Sequence, residues 1–490
     1  MVKAEQIIGQ NKWWALGKDF SLSDKQVLDF NSAILKIARS PILLKKDTIY
    51  IIYGPRRVGK TTFIKNTISE LLVKGAKKDK ISYFSCDALV SNSKEELTAA
   101  LDFLLEKQPN FLFIDEINVV KNWEQIIRFL FDQGKFKECS VVITGSPFGV
   151  REMLPGRNVN KYFIKPATFR DFVRNLAEQT ANQELQNVLA ESGFGRDEIK
   201  SIEKLKELLG KQGFEIRQIC RNAERVIPFL PVLKKLFAVY LHTGGFPSVI
   251  NSYLRFVSGR DNRLDEEYAM IVDMLIDTLK KRGKSETIAK QIINAVAEKM
   301  TSRYGFREIT KATEEKTNQV TVIDYLHHLE DVFFLSIIYS YDFSKKMPRW
   351  KGDKKIYFTD PFIFYAIRKN LAGKDGPALT EQLLSEEAPA ILEGLAANLL
   401  IQTLEEPFVK TSDAFIWFYY TATGKEIDFI YKQEEYWAIE IKSGKPAKML
   451  SIPEVKNYVL LADDFGCENK LARLPPLVFF LLIEKNKRHL

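Results

Sequence analysis

The residues with the clearest chemistry form one short segment. It reads Gly54-Pro55-Arg56-Arg57-Val58-Gly59-Lys60-Thr61-Thr62. The segment fits the pattern G-x-x-x-x-G-K-[ST], in which glycines let the backbone fold around phosphate oxygens. A lysine in the position of Lys60 neutralises charge on the β- and γ-phosphates, and a hydroxyl in the position of Thr61 binds Mg²⁺. The spacing predicts a binding site for ATP and Mg²⁺ to which the whole segment contributes.

A second set of polar residues follows an apolar stretch at residues 111–114. Hydrolysis of a bound triphosphate needs a carboxylate near the metal and a base for water. We expect Asp115 to hold Mg²⁺ and Glu116 to activate the water. Alone, such a segment indicates only a buried strand that ends in a turn, but its position downstream of the phosphate loop favours the catalytic interpretation. A third apolar stretch leads to Thr144 and then to Ser146, whose hydroxyl we expect near the γ-phosphate.

Charged residues near the C-terminus form another pattern. Asp428 lies in one apolar stretch, and Glu440 and Lys442 lie in and just after the next. Side chains alternate along a strand, so residues 440 and 442 share a face, and a hairpin partner would bring Asp428 beside them. Two acids and a lysine can hold Mg²⁺ and polarise water for phosphodiester cleavage. Charged strand faces are also common without any such chemistry, and this alternative stays open.

These residues need particular elements to position them. Residues 49–53 are apolar and β-branched or aromatic, and the residues after Lys60 repeat at helical spacing up to Gly75, which predicts strand, loop and helix. Strands and helices alternate through this part of the chain, as in a parallel sheet with both faces covered. The predicted strands are 49–53, 81–86, 111–115, 140–144 and 161–164.

The pattern changes after Pro166. Residues 169–280 read as charged helices, and residues 285–358 read as three short helices followed by two strands, which is winged-helix order. The connection between those strands is basic, so it would bind a nucleic-acid backbone, or else it is a solvated loop in a purely structural domain. Its residues are Lys345, Lys346, Arg349, Trp350, Lys351 and Lys354. The last block is α/β, with a helix at 388–404 and strands at 414–420, 426–431, 436–441 and 477–483.

Length and composition limit the class of protein. A chain of 490 residues predicts several domains, and a net charge of +9 favours phosphate-rich partners. The four cysteines are widely spaced without a CxxC pair, so we expect reduced thiols instead of a zinc site or disulfides. We find no signal core and no long apolar run, which predicts a soluble cytoplasmic protein without a membrane segment.

Taken together, these segments resemble archaeal and bacterial AAA-type, STAND-related P-loop ATPases. Their C-terminal domain of unknown function is related to PD-(D/E)xK nucleases. The matching segments occur in the family's order over residues 40–450. They are residues 54–62, Asp115-Glu116-Ile117 with Trp123-Glu124, Thr144-Gly145-Ser146, Gly156-Arg157, Pro166-Ala167-Thr168-Phe169, Gly244-Gly245-Phe246-Pro247, Asp360-Pro361 and the strands of Asp428, Glu440 and Lys442.

The resemblance implies further roles. It implies ATP hydrolysis, with Arg157 as a sensor or arginine finger acting in cis or on a neighbouring subunit, and a turn at residues 244–247 near the nucleotide. The family usually has Gly-x-x-x-Glu-Asn before the nuclease-like strands. This chain has Gly394-Leu395-Ala396-Ala397-Asn398, so Ala397 stands where an acid is expected. Glu393, one helical turn away, is the candidate to replace that acid.

We therefore predict a multidomain α/β protein. The predicted domains are a helical lead-in (1–45), a P-loop ATPase domain with a parallel sheet (46–168), a helical lid (169–284), a winged helix (285–360) and a PD-(D/E)xK nuclease-like domain (361–490). The predicted function is ATP hydrolysis coupled to the last two domains, with DNA as a target. The alternatives are a nucleotide-switched DNA-binding protein, an Mg²⁺-dependent nuclease, and a regulatory ATPase that acts on a protein partner or forms a homo-oligomer.

Overall fold

The described part of the chain divides into two units. The computed structural model describes residues 3–145, 158–209, 215–261, 263–280, 282–300, 302–313, 317–372, 388–404, 416–432, 434–442 and 449–483. Unit 1 comprises Met1–Lys165 and unit 2 comprises Pro166–Leu490. In the described residues, unit 1 contains one five-stranded sheet, and unit 2 contains a six-stranded sheet and two two-stranded sheets.

Unit 1 is built on a parallel sheet. The described strands are β1 (Thr48–Tyr53), β2 (Ile81–Ser85), β3 (Phe111–Asp115), β4 (Ser140–Gly145) and β5 (Val159–Phe163). They are ordered β2-β3-β4-β1-β5, and each neighbouring pair is parallel, as predicted. The α-helices are α1 (Ala4–Gln10), α2 (Trp13–Leu16), α3 (Lys25–Asn31), α4 (Lys60–Val73), α5 (Lys94–Leu105) and α6 (Trp123–Asp132). This topology brings the carboxyl ends of β1, β3 and β4 side by side.

The lead-in segment covers the outer edge of β2. The Asn11 side chain donates to the Tyr83 carbonyl at 2.8 Å and accepts from the Tyr83 N–H at 2.7 Å, as a neighbouring strand would. The indole N–H groups of Trp13 and Trp14 both donate to the Ile81 carbonyl, at 2.9 and 2.8 Å. An exposed edge strand invites pairing with other chains, and these side chains satisfy its backbone instead.

Unit 2 begins with a helical region and ends with a mixed sheet. Its α-helices are α7 (Phe169–Gln179), α8 (Gln183–Glu191), α9 (Arg196–Leu208), α10 (Ile216–Val226), α11 (Leu230–Thr243), α12 (Pro247–Val257), α13 (Leu264–Lys280), α14 (Glu286–Glu298), α15 (Phe306–Lys311), α16 (Gln319–Asp331), α17 (Pro361–Ala372), α18 (Ala388–Leu404) and α19 (Pro476–Leu482). Strands β6 (Leu335–Tyr339) and β9 (Lys354–Phe358) form an antiparallel pair after three helices, with the short hairpin of β7 (Tyr341–Asp342) and β8 (Met347–Pro348) between them.

The mixed sheet carries the second group of predicted site residues. Its described strands are β10 (Ile416–Tyr420), β11 (Glu426–Lys432), β12 (Tyr436–Ile441), β13 (Val455–Leu461), β14 (Gly466–Glu468) and β15 (Leu471–Leu474), in the order β10-β11-β12-β13-β15-β14. Strands β10 to β12 form an antiparallel meander, and β13 is parallel to β12.

One predicted strand of this block is wrong. Residues 477–483 were expected to be a strand, but Pro476–Leu482 is a helix whose residues from Leu477 onward are all buried. A segment that is apolar on every side shows neither the strand period nor the helix period, so the two cannot be distinguished by pattern. Pro476 at the first helical position fits a helix start.

The expectation of reduced thiols is also wrong for two of the four cysteines. Cys220 and Cys467 form a disulfide across 247 residues of sequence, with their Cα atoms 6.1 Å apart. Spacing along the chain could not indicate this pair, because the packing of α10 against β15 brings the two positions together. Cys86 and Cys139 are free and buried, as expected.

Three segments named by the resemblance meet inside unit 2. The Ala167 N–H donates to the Gly245 carbonyl at 2.8 Å, and the Gly245 N–H donates to the Asp360 carboxylate at 2.8 Å. A Cβ atom on Gly244 would lie 1.8 Å from an Asp360 oxygen, and one on Gly245 would lie 2.1 Å from the Ala167 carbonyl oxygen. These positions accept only glycine because other backbone and side-chain atoms fill the space. The turn at 244–247 is therefore part of a packed junction within unit 2.

One helical stretch bears on the prediction of no membrane segment. Among the described residues, the stretch Ile216–Thr243 is long and apolar enough to cross a membrane, judged by length and composition. Half of the residues in its most apolar 18-residue segment are buried inside the protein. Leu233, Leu236 and Tyr240 are among the buried side chains of its α11 portion.

Candidate functional site

The phosphate loop connects β1 to α4, as the sequence predicted. A Cβ atom on Gly54 would lie 1.9 Å from the Ile164 carbonyl oxygen, so only glycine fits beside β5. Gly59 has φ 92°, a left-handed conformation that glycine adopts without strain, and α4 begins at the next residue. The loop therefore opens directly onto a helix N-terminus, where backbone N–H groups favour phosphate.

Other loop residues support the same geometry. Val58 is buried, and its carbonyl accepts from the Arg39 guanidinium at 3.2 Å. Pro55 is buried, while Arg56, Arg57 and Thr62 are half-buried.

Lys60 points back into the loop. Its Nζ donates to the carbonyl oxygens of Gly54 at 3.2 Å and Pro55 at 3.0 Å, and it lies 3.5 Å from a carboxylate oxygen of Glu116. The side chain is only 3% exposed. An ammonium held by carbonyl oxygens inside the loop is well placed to exchange them for the more strongly charged oxygens of a phosphate.

Asp115 ends β3 and is 1% exposed. One carboxylate oxygen accepts from the Thr61 hydroxyl at 2.8 Å and from the Tyr83 hydroxyl at 3.0 Å, and the other accepts from the Thr144 hydroxyl. The two residues predicted to bind the metal, Thr61 and Asp115, are thus in direct contact. Among the described residues, the side chains that donate to Asp115 are all neutral hydroxyl groups.

Glu116 follows Asp115 in an uncommon backbone conformation. Its φ is 51°, in the left-handed region, and its N–H donates to the Thr144 hydroxyl at 3.1 Å. A non-glycine residue in this region carries strain that functional sites often retain. The Glu116 side chain reaches Lys60, with one carboxylate oxygen 3.5 Å from the ammonium.

Sequence reasoning missed Tyr83 and the residues behind it. The Lys65 ammonium lies 3.9 Å from the centre of the Tyr83 ring and 3.4 Å from a carboxylate oxygen of Asp24. Burial raises the pKa of Tyr83 well above its ordinary value, and Asp115 adds to this shift. Burial lowers the pKa of Lys65 despite Asp24. Ser85 pairs with Asp115 in the neighbouring strand. Tyr83 lies two positions before Ser85, so strand alternation puts the side chains of Tyr83 and Asp115 on the same face of the sheet. This relation could have been found only after the strand pairing was known.

The residues present fit Mg²⁺. A hydroxyl and a carboxylate are the oxygen ligands that this ion prefers, and a phosphate loop supplies further oxygens through the nucleotide. Ser146 and Arg157, together with Gly156, lie outside the described residues, so their predicted roles stay predictions.

The second predicted site lies on the mixed sheet. Phe429 pairs with Ile439, and continuing this register puts Asp428 opposite Glu440. An Asp428 oxygen accepts from the Ile441 N–H at 2.9 Å, and the Lys442 ammonium lies 2.6 Å from a Glu440 oxygen. Burial raises the pKa of Glu440, while Lys442 opposes this shift. The predicted residues therefore share one face of the sheet.

A lysine that was not predicted lies at the centre of this region. The Lys355 ammonium on β9 is 2.6 Å from a Glu393 oxygen and 3.3 Å from an Asp428 oxygen, and it also pairs with Glu426. Burial alone would lower the pKa of Lys355, but the three carboxylates raise it above its ordinary value. Ala397, which stands where the resemblance leads one to expect an acid, is fully buried.

The residues of the basic connection between β6 and β9 differ in solvent exposure more than predicted. Lys345, Lys346 and Lys351 are exposed, and Trp350 is 47% exposed. Lys354 does not belong to this surface because it is buried. Its ammonium donates to the Gly352 carbonyl at 2.7 Å and lies 4.4 Å from the centre of the Phe306 ring.

Comparison with known proteins identifies two matching regions. Residues 46–173 match the family model of an AAA domain, and residues 234–374 match that of a domain of unknown function, DUF8612. An uncharacterized protein of Methanocaldococcus jannaschii is 32% identical over 173 residues, which is 31% of this chain and 37% of that protein. The chain thus spans little more than a third of that relative.

Solved structures were compared as well. The replication initiator DnaA bound to AMPPCP and single-stranded DNA is 12% identical, with 67% of this chain and 94% of that chain covered and a TM-score of 0.27. RuvB of Thermotoga maritima is 13% identical, with 68% and 89% covered and a TM-score of 0.23. Scores this low carry no argument about this chain. The phosphate loop between β1 and α4 of a parallel sheet, together with the AAA-domain match, defines unit 1 as a P-loop NTPase fold of the AAA type.

Proposed function

We propose that the chain is an Mg²⁺-dependent ATPase. The observation that carries this proposal is the 2.8 Å contact between Thr61 and Asp115, with Lys60 and Glu116 3.5 Å from each other beside it. These are the four groups that phosphoryl transfer to water requires, namely two metal ligands, a phosphate-binding ammonium and a base.

Each residue has a distinct role in this proposal. The loop N–H groups and Lys60 bind the β- and γ-phosphates, while Thr61 and Asp115 hold Mg²⁺. When bound, the ion neutralises charge that develops on the phosphate oxygens. Glu116 leaves its pairing with Lys60 when the phosphate binds that ammonium, and its carboxylate then accepts a proton from the attacking water. Ser146 and Arg157 are proposed to contact the γ-phosphate, the arginine in cis or from a neighbouring subunit.

Phosphate release from ATP tests this proposal. We expect Glu116→Gln to retain ATP binding and to lower kcat by ~10²–10⁴-fold, the range for loss of a general base. Lys60→Ala should lose ATP binding as well. The controls Glu106→Gln and Lys77→Ala change exposed residues of the same types and should match the wild type. Equal phosphate release by wild type, Lys60→Ala and Glu116→Gln would refute the proposal.

We propose DNA as the target of unit 2, through a winged helix at residues 285–360. Three helices followed by the β6–β9 pair support this assignment. The specific observation is the exposed group Lys345, Lys346, Trp350 and Lys351 in the connection between those strands. Exposed ammonium groups bind phosphates by releasing counterions, so affinity should fall steeply with salt.

Charge reversal tests the DNA proposal. We expect the triple variant Lys345→Glu, Lys346→Glu, Lys351→Glu to weaken binding to duplex DNA and to flatten the salt slope by up to about three units. The matched control reverses three exposed lysines of α9, Lys200, Lys204 and Lys206, and should retain the wild-type slope. Absence of DNA binding at low salt, with and without ATP, would favour the alternative of a protein partner, which capture by the Glu116→Gln variant can identify.

We further propose that residues 361–490 share the ancestry of PD-(D/E)xK nucleases. Helix α18 precedes the meander of β10 to β12, and Asp428 and Glu440 lie opposite each other within it. A homo-oligomeric state and a cytoplasmic location remain part of the proposal.

A further inference from the structure

The acidic cluster of unit 2 consists of Glu393 on α18 and of Glu426 and Asp428 on β11. Their carboxylate oxygens lie within 4.8 Å of one another, close enough to share one cation. In a nuclease-like domain, such a cluster implies a divalent metal. The metal does not fit here, because the Lys355 ammonium already contacts all three carboxylates.

The number of the contacts matches an ammonium. A lysine ammonium has three N–H donors, and this cluster supplies three carboxylate acceptors. Lys355 is 2% exposed and belongs to β9, where it pairs with Ile338 of β6. The ammonium is therefore held out of water by the three carboxylates that it contacts.

Each carboxylate is also held by a second donor. The Tyr357 hydroxyl donates to Glu393 at 2.6 Å, the Arg303 guanidinium pairs with Glu426 at 2.9 Å, and the Ile441 N–H donates to Asp428 at 2.9 Å. Mg²⁺ requires near-octahedral oxygen ligation and usually retains several waters. Carboxylates fixed in this way around a buried ammonium leave neither the free ligand positions nor the charge that such an ion needs.

We propose that Lys355 is the resident cation of this cluster, replacing the divalent metal that the nuclease-like fold implies. We call Lys355 with Glu393, Glu426 and Asp428 the ammonium clasp, because their ion pairs connect β9 to α18 and β11. This proposal rests on the proposed nuclease ancestry of residues 361–490 and not on ATP hydrolysis by unit 1. It predicts no Mg²⁺-dependent cleavage at Asp428, Glu440 and Lys442 while the Lys355 ammonium is in place.

Mn²⁺ binding, measured by electron paramagnetic resonance without nucleotide, tests the clasp. We expect the wild type to bind no Mn²⁺ through Asp428, so that Asp428→Asn leaves its binding curve unchanged. Lys355→Met should gain one Mn²⁺ site that the wild type lacks, because a like charge at contact distance has been removed. This gain should vanish in Lys355→Met combined with Asp428→Asn.

The adjacent lysine provides a matched control. Lys354 is also buried on β9, but its ammonium contacts a carbonyl and aromatic rings instead of carboxylates. Lys354→Met should therefore gain no Mn²⁺ site. Should Lys355→Met fail to fold, Lys355→Met with Glu393→Gln removes one of the opposing charges and serves in its place.

Two results with the wild-type protein would overturn the proposal. One is wild-type Mn²⁺ binding that is lost in Asp428→Asn. The other is Mg²⁺-dependent DNA cleavage by the wild type that vanishes in both Asp428→Asn and Lys442→Ala. Folded Lys355→Met protein without any new Mn²⁺ site would equally contradict it, since the cluster would then have no affinity for metal to be blocked.

Discussion

Unit 1 and unit 2 each place buried acids beside a lysine, but they partner these acids differently. In unit 1, Asp115 accepts from the hydroxyls of Thr61, Tyr83 and Thr144, while the Lys60 ammonium donates to backbone carbonyls and lies 3.5 Å from the other acid, Glu116. In unit 2, the Lys355 ammonium contacts the carboxylates themselves.

The same residue types can therefore form either a site that binds a metal ion or a cluster whose carboxylates are already paired with an ammonium. Neutral hydroxyls do not compensate the charge of a carboxylate, so Asp115 keeps its attraction for a cation, and Thr61 can become a ligand beside it. A buried ammonium compensates the charge of the carboxylates directly, and removing it would leave these partly buried acids without their shared cation. Residue types near a strand end therefore do not distinguish a metal site from an ion-pair cluster, whereas the position of the lysine does.

The largest expected effect is on kcat for ATP hydrolysis, and it should distinguish Asp115 from Asp428. Asp115→Asn should lower kcat for ATP hydrolysis by about 10²–10³-fold, because a charge-stabilising group at the transferring phosphate is lost. Asp428→Asn should leave ATP hydrolysis unchanged. Steady-state phosphate release over a range of Mg²⁺ concentrations measures both, and equal losses in the two variants would erase the contrast between the units.

Removing the clasp should have the largest effect on stability. Lys355→Met leaves three partly buried carboxylates without their shared ammonium, which should cost up to about 3–5 kcal/mol of unfolding free energy in unit 2. Adding Glu393→Gln should recover part of this loss. Lys354→Met removes a cation from aromatic rings and should cost about 1–2 kcal/mol. Urea titrations read by hydrogen exchange in the peptides of β9 and β11 measure these values, and equal losses at positions 354 and 355 would argue against the clasp.

Another buried acid of unit 2, Asp360, should make the unfolding free energy depend on pH. Burial raises the pKa of Asp360 from its ordinary value of 3.8 to about 7, although the N–H groups of Gly245 and Phe362 oppose the shift. The folded state therefore binds this proton more tightly than the unfolded state. Its contribution to the unfolding free energy is complete below about pH 4 and is lost as pH rises towards about 7, by roughly 1.4 kcal/mol for each pH unit.

Hydrogen exchange at Gly245 and Phe362, corrected for the intrinsic effect of pH, measures this dependence. Asp360→Asn cannot titrate, so protection at these amides should become less dependent on pH between 4 and 7 than in the wild type. An identical pH dependence in the variant would show that Asp360 does not carry the effect.

The smallest expected effect concerns Tyr83. Tyr83→Phe removes one of the hydroxyl donors to Asp115 while keeping the ring that contacts Lys65. Loss of one hydrogen bond to a charged group is worth about 1.5–3 kcal/mol at most, and the partly compensating hydroxyls of Thr61 and Thr144 should reduce it. We expect a higher Mg²⁺ concentration for half-maximal activity with little change in kcat at saturating Mg²⁺. A loss of kcat at every Mg²⁺ concentration would assign Tyr83 a different role.

Much of unit 1 could be predicted because its chemistry is local in sequence. The phosphate loop lies within nine residues, and Asp115 and Glu116 follow directly from a buried strand. Parallel strands align their carboxyl ends, so the contact between Thr61 and Asp115 follows from the pattern of strands and helices. Tyr83 was missed because a tyrosine in a buried strand looks like any core residue until the strand order is known.

Unit 2 was predictable only in part because its decisive contacts join distant segments. Asp428, Glu440 and Lys442 share a strand face as alternation indicated, but Lys355 enters from β9, 73 residues before Asp428. No pattern in the sequence connects Lys355 with these acids. The disulfide between Cys220 and Cys467 and the helix at Pro476–Leu482 were missed for the same reason, because tertiary packing decides them.

The most direct test of the central claim is the location of bound metal in a crystal of the full chain with Mn²⁺ and a non-hydrolysable ATP analogue. Anomalous scattering at the manganese edge identifies the ion without reference to its ligands. We predict a peak at Thr61 and Asp115 beside the nucleotide phosphates, and none among Glu393, Glu426 and Asp428, where the Lys355 ammonium remains. A manganese peak among those three carboxylates, or the absence of one at Asp115 with nucleotide bound, would contradict the account.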